Sequence, residues 1–269
     1  PVEIKAYAQN VATRIIEDFM LLANETVAKE YCEREIPFLY RTHENPDMDK
    51  MEKVLTFIRN QDIPVHKAHE EITPLEIQEI LTAIEGETSE PLISRLLLRS
   101  MKQARYTTGC SGHFGLAAKH YCHFTSPTRR YPDLQIHRII KDDLRGRMRE
   151  EKRVYYAQIL EDVAVKTSML ERRAEEVERE TVKLKKAEYM EMHMGQSFEG
   201  VVSGVTAWGM YVELPNTVEG LVHVSTMADD YYVFDEENYC LVGEESRRTY
   251  HLGDPVCVEV SGADLTSRS

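Results

Sequence analysis

The sequence predicts an α+β chain built from two unlike parts, and two observations carry that prediction. Up to residue 194, apolar residues recur at helical spacing between charged faces. From Gly195 onward the texture changes, as in GQSFEGVVSGVTAWGMYVELPNTVEGLVHVS, to short alternating runs punctuated by Gly and Pro. That is the pattern of a strand meander. A helix-to-strand switch at a glycine divides the chain into residues 1–194 and 195–269. With 269 residues, 42% of them hydrophobic and 29% charged, the chain can bury a real core.

Ala12 to Glu35 reads as one helix, with Ile15, Ile16, Phe19, Leu22 and Ala23 on an inward face and Pro37 ending it. FLYRTHENPD reads as extended chain closing in a turn, followed by a short helix over Met48–Asn60. Thr73-Pro74-Leu75-Glu76 supplies an N-cap, a proline at the first helical position and an acidic first turn, so a helix runs to about Ala83. Leu92 to Ala104 is helical, with Leu96, Leu97 and Met101 inward and Arg95, Arg99, Lys102 and Arg105 at its edge. A short helix fits Phe114 to His120, and Pro132 suits the start of another over Asp133–Arg149. Tyr155 to Met194 contains no Gly or Pro and reads as one long charged helix. In the second part, one strand carries Phe198, Val202 and Val205 on a face. The next carries Met210, Val212 and Leu214, with Tyr211 and Glu213 opposite. GLVHVS and YHLGDPVCVEVSGADL supply a third and a fourth.

The formal net charge is -13, but its distribution is more informative. Residues 95–153 hold 14 Lys/Arg against five Asp/Glu, while every other block is acidic. A basic zone in an acidic chain is the footprint of a polyanion partner, or else an arginine-rich helix surface. Five scattered cysteines without a C-x-x-C pair point to reduced thiols and a cytoplasmic protein. No apolar run approaches the roughly 18 residues that span a membrane. The chain begins at Pro1 within a polar phrase and stops at SGADLTSRS, which reads as a fragment with its last strands cut short.

The basic zone contains HFTSPTRRYPD. Pro127 and Pro132 stiffen the stretch, so Arg129 and Arg130 sit on a defined loop leading into a helix. A guanidinium on a stiff backbone loses little freedom when its fork takes two phosphate oxygens. The hydroxyls of Thr125, Ser126 and Thr128, and the N–H groups of the following helix start, could add to anion binding. The competing expectation is that one arginine pairs with Asp133 or a nearby Glu.

The phrases IIEDFMLLANETVA, PFLYRTHENPD, LRSMKQARY and GHFGLA followed by HFTSPTRRYPDLQIHR resemble the RNase II/RNase R family of bacterial exoribonucleases, and its ribonuclease R branch most. They match the C-terminal part of that family's RNB catalytic domain. GVVSGVTAWGMYVELPNTVEGLVHVS resembles the S-one-type RNA-binding domain that follows it, a five-stranded OB-type β-barrel. The resemblance covers nearly the whole chain. It implies processive, hydrolytic 3′-to-5′ degradation of single-stranded RNA to nucleoside 5′-monophosphates, by a monomer. Carried over residue by residue, it implies a catalytic contact of Arg129 with the reacting phosphate and a catalytic Glu171 near the product end, with Glu178 as the alternative. Arg130 and Tyr131, together with Trp208, Tyr211 and His223 of the barrel, are the expected RNA contacts. Glu17 is a weaker candidate for the nucleotide pocket, and His113 for shaping it. Thr128 stands where an apolar residue is expected.

The resemblance also implies magnesium, held in the intact enzyme by an aspartate cluster that lies outside this chain. Taken alone, the chain is therefore expected to be inactive. A non-catalytic RNA-binding or regulatory protein on the same scaffold is the alternative. The barrel is acidic, with no Lys or Arg over residues 201–246, so weak RNA binding by the barrel alone is expected. Cys110, His113, His120, Cys122 and His123 have tolerable zinc spacings, but core and channel packing is the favoured reading of this cluster.

Overall fold

The computed structural model describes residues 3–5, 9–60, 63, 71–87, 90–236 and 238–266. Helix α1 spans Val11–Glu33 and opens on a capping box, Asn10 accepting from the Thr13 backbone N–H and Thr13 answering the Asn10 N–H. Its buried face is Asn24, Ala28 and Tyr31, all in its C-terminal half. The expected inward face is not buried. Ile15, Ile16, Phe19 and Leu22 are exposed, Phe19 by 64%. The period is helical, but this stretch of α1 stays open to solvent.

Strand β1, Tyr40–Thr42, pairs antiparallel with β2, Arg105–Thr107. Between them lie α2 (Met48–Asn60), α3 (Pro74–Ala83) and α4 (Glu90–Ser100). Thr73 and Glu76 form the capping box of α3 with Pro74 in the first turn, as the sequence requires. These helices enclose one core around Met51, Leu55, Ile58, Ile84 and Ile93. The expected helix over Phe114–His120 contracts to a single 3-10 turn, Phe114–Leu116, ended by Ala117 at φ 52°. Helix α5, Tyr131–Leu144, follows the arginine loop with Pro132 in its first turn. It shares a second core with α1 and α6 (Glu150–Glu191) around Phe38, Leu39, Ile136, Ile139 and Leu160. None of the described helices is long and apolar enough to cross a membrane.

Gly195, at φ 74°, turns the chain from α6 into the β part, and its N–H donates to the Val260 carbonyl at 2.9 Å. Strands β3 (Ser197–Thr206), β4 (Gly209–Glu213) and β5 (Glu219–His223) form an antiparallel meander. Strand β9 (Pro255–Glu259) closes on the far edge of β3, giving the order β5-β4-β3-β9 in a curled sheet. Met210, Val212 and Leu214 face the core, as their period predicts. A bulge between Val202 and Gly204 shifts the phase of β3. Ser203 becomes buried, and Val205 packs against both the barrel core and the α2–α4 core. A second sheet of β6 (Tyr232–Asp235), β7 (Cys240–Gly243) and β8 (Thr249–Tyr250) was not anticipated as separate strands. The sheets and the helical part touch directly. The ring of Tyr239 meets Phe57 of α2 edge-on at 5.3 Å, and Arg95 of α4 reaches Glu219 of β5 at 3.9 Å.

Candidate nucleic-acid interface

The arginine loop is held from beneath. Asp133, in the first turn of α5, is completely buried. One of its oxygens, Oδ1, accepts from the Ser126 backbone N–H and from Arg130 Nη2, each at 2.8 Å. The Arg129 and Arg130 N–H groups both donate to the Ser126 carbonyl, closing the turn. The two arginines therefore take opposite roles. Arg130 is turned inward, its side chain 18% exposed and its guanidinium committed to Asp133. Arg129 is exposed, and its guanidinium makes no ion pair or side-chain hydrogen bond among the described residues. Tyr131 is 47% exposed beside it, with the Arg138 guanidinium over its ring at 5.8 Å. The loop thus presents one guanidinium and one aromatic ring to solvent on a braced backbone.

Behind the loop runs a network of aromatic and polar side chains. Asn24 of α1 accepts from the Phe124 N–H at 3.0 Å and donates to the Tyr121 hydroxyl at 3.1 Å. The ring of His113 contacts those of His43 and Tyr121, and Tyr121 contacts His123. His123 Nδ1 lies 2.9 Å from the Tyr106 hydroxyl, which also donates to Glu171 Oε1 at 3.3 Å. Arg41 of β1 donates to Glu171 Oε2 at 2.5 Å and stacks over the Tyr106 ring at 4.7 Å. Glu171 therefore faces this network, whereas Glu178, two turns further along α6, is exposed.

Burial lowers His113 to about 4, helped by His43 and Arg41. It lowers His123 to about 3, with Arg130, Arg41, His113 and Arg129 adding to the effect. Both imidazoles are therefore neutral near neutral pH, and the positive charge of this region is carried by guanidinium groups. His113 Nδ1 is buried without a hydrogen-bond partner, which suits a packing and shaping role. Glu17 stands apart on the exposed half of α1, accepting from Gln9 Nε2 at 2.7 Å, and no hydrogen bond joins it to this network among the described residues.

The barrel residues divide similarly. Gly209 follows Trp208 at φ 146°, and a Cβ there would lie 2.1 Å from the Val222 carbonyl oxygen. Only glycine allows the tight turn that leaves Trp208 68% exposed. His223 pairs with Gly209 across β4 and β5, so it stands beside that turn with its Nδ1 2.8 Å from the Ser225 hydroxyl. Tyr211, two residues along β4, is partly exposed. Glu219 accepts from the buried Ser203 hydroxyl and meets Arg95 of α4 at 3.9 Å, which sets one cation beside the acidic barrel.

The soft-donor residues considered in the sequence separate in space. Cys122 is buried and donates to the Asn24 carbonyl at 3.3 Å, while His113 and His123 join the aromatic network. Cys110 and His120 remain together and meet Cys32 of α1, whose place in this group no sequence spacing indicated.

The sequence matches the RNB domain family over residues 1–146 and the S1 RNA binding domain family over residues 191–269. It is 42% identical over 264 residues to Ribonuclease R 1 of Lactococcus lactis, covering 98% of this chain and 32% of that protein. The chain thus spans about a third of that relative's length. Mycoplasma genitalium RNase R, solved with ribose-methylated single-stranded RNA, superposes with a TM-score of 0.89 at 28% identity, over 100% of this chain and 42% of that one. Yeast Ssd1, a pseudonuclease, shares the fold at 23% identity and a TM-score of 0.61, over 89% of this chain and 30% of that one. With its RNB match spanning more than half of its length, the chain belongs to the RNB family, here carrying an S1 RNA-binding domain.

Proposed function

We propose that this chain is part of a processive 3′-to-5′ hydrolytic exoribonuclease that degrades single-stranded RNA to nucleoside 5′-monophosphates, and that Arg129 grips the phosphate at the reacting end. The observation that carries this reading is the contrast between adjacent residues. Arg130 is committed to buried Asp133, while Arg129 is displayed unpaired on the backbone that this pairing holds. A guanidinium held on a fixed turn needs little reorganisation to meet charge developing on a phosphate. The neutral state of His113 and His123 leaves that task to arginine. The relatives named Ribonuclease R and the RNA-bound structure of one family member support the substrate class.

Glu171 fits a positioning role. Its carboxylate is engaged by Arg41 and Tyr106, and through Tyr106 it orients His123 below the loop. Trp208, Tyr211 and His223 form a stacking surface for a single strand on the barrel. Magnesium does not fit the metal-ligating group that the described residues assemble. The one group of three close metal-ligating side chains among the described residues is Cys32, Cys110 and His120, a soft donor set unsuited to a hard cation. In this reading the ligands for magnesium lie in a part of the enzyme outside this chain.

The test is hydrolysis by the intact protein carrying Arg129→Ala, measured in a single turnover at saturating RNA. The second reading, a non-catalytic RNA-binding protein, draws on the pseudonuclease that shares the fold. It requires that the intact wild-type protein bind RNA and leave it uncut when magnesium is supplied.

A further inference from the structure

Cys32, Cys110 and His120 come from three separate segments: the last turns of α1, the loop after β2, and the stretch that leads into the arginine loop. One ligand atom from each lies within 4.8 Å of the other two. Cys110 Sγ and His120 Nδ1 are 3.2 Å apart. In a tetrahedral zinc site, with Zn–S about 2.3 Å and Zn–N about 2.0–2.1 Å, neighbouring ligand atoms are separated by roughly 3.5–3.8 Å. The Cys110–His120 separation is slightly shorter than such an edge, and the 4.8 Å bound on the other two leaves only a small adjustment to bring all three atoms onto one ion. All three residues are partly exposed, although Cys32 and Cys110 pack against the helical core and burial pushes the Cys110 thiol up to about 12, so the ion must displace that thiol's proton. Two sulfurs and an imidazole form a soft set that discriminates against magnesium and calcium.

We propose that Cys32, Cys110 and His120 bind a thiophilic d10 cation, Zn²⁺, with its fourth position open to solvent. As the ion binds, two S–Zn bonds and one N–Zn bond form, and each thiol releases its proton to water. The bound ion acts as a cross-link, with water completing its coordination. It ties the end of α1 to the segment that continues through Tyr121 and His123 to Arg129. Asn24 makes a tie between the same two segments about two turns earlier on α1, through Phe124 and Tyr121. The zinc site is independent of the RNA-cleaving reading, because it concerns only how this segment is held.

The test uses the reduced, full 269-residue chain and needs no activity. Zn²⁺ is titrated against a chromophoric chelator, and Co²⁺ is titrated while thiolate-to-metal charge-transfer absorption is followed. One equivalent of tight binding with a charge-transfer band is expected, lost in Cys32→Ser and in Cys110→Ser. A second measurement on the unmutated chain guards against variants that fail to fold. Maleimide labelling, read by mass spectrometry of peptides, should show Zn²⁺ protecting Cys32 and Cys110 while exposed Cys257 labels freely. Weak or substoichiometric Zn²⁺ binding would overturn the proposal. So would equal labelling of Cys32 and Cys110 with and without Zn²⁺, or a pair that only forms a disulfide on oxidation. Undiminished metal binding in the cysteine variants would overturn it as well.

Discussion

Arg130 Nη2 lies 2.8 Å from Asp133 Oδ1, and that carboxylate is completely buried while the neighbouring Arg129 projects into solvent. The pair explains how an acidic chain displays a guanidinium at a fixed place. One arginine neutralises the buried charge that organises the turn, and the other remains available. Removing one member of a buried pair strands the other in a poorly solvated place, so Asp133→Ala and Arg130→Ala should each cost about 3–5 kcal/mol. Arg129→Ala should lie within about 0.5 kcal/mol of wild type. Urea unfolding of the three variants checks the contrast. Comparable losses at Arg129 and Arg130 would show that the two side chains share the structural task.

The Arg41–Glu171 pair joins β1 to α6, with side chains 12% and 24% exposed. Glu171→Gln should destabilise the chain, and Glu178→Gln should be nearly neutral because Glu178 is exposed. A double-mutant cycle with Arg41→Met should give a coupling of about 1 kcal/mol or more between positions 41 and 171. No coupling would detach Glu171 from the network under the loop.

The depressed imidazoles set an acid limit. In the folded chain His113 and His123 remain neutral down to about 4 and about 3, whereas the unfolded chain protonates them near the ordinary value of 6.5. Between those values the unfolded state binds more protons, so stability rises with pH across that window. It should be fully present above about 6.5 and decline as pH falls towards 4 and then 3. Unfolding at pH 7 and pH 5 checks the sign, and His123→Phe should flatten the dependence. Glu44, lowered by Arg105 and Lys102, and Asp142, lowered by Lys152 and the Tyr156 hydroxyl, act below their own ordinary range and leave the interval from 5 to 6.5 to the histidines.

On the barrel, Trp208→Ala should weaken single-stranded RNA binding by about 1–3 kcal/mol, the usual worth of one stacked base. Single-turnover cleavage by the intact protein at saturating RNA should be unchanged. Gly209→Ala should reproduce the binding loss, because its Cβ would collide with the Val222 carbonyl and displace the turn. Fluorescence anisotropy with a labelled oligonucleotide reads both. Intact affinity in both variants would remove the barrel from the RNA path.

The residues most legible in the sequence were those whose signal is local. Thr73, Pro74 and Glu76 cap α3 because capping chemistry depends on three or four adjacent residues. Met210, Val212 and Leu214 were legible because strand period alone assigns their face. What depends on distant partners was not legible. The apolar stripe of Ile15, Ile16 and Phe19 has helical period, but period cannot say whether another element covers it. The division of labour between Arg129 and Arg130 follows from which one reaches Asp133, and spacing left both choices open. Cys32 meets Cys110 and His120 only after α1 has packed, so no motif joined them. Strands β6 and β7 lie in an acidic, tyrosine-rich stretch without clean alternation.

The most direct measurement is the single-turnover rate of RNA hydrolysis by the intact protein with Arg129→Ala, at saturating RNA and with magnesium supplied. If Arg129 meets the reacting phosphate, the rate should fall by about 100-fold or more, with only a modest change in RNA affinity. A near-wild-type rate would contradict the account, because the one guanidinium that the loop leaves unpaired would then have no part in the chemistry.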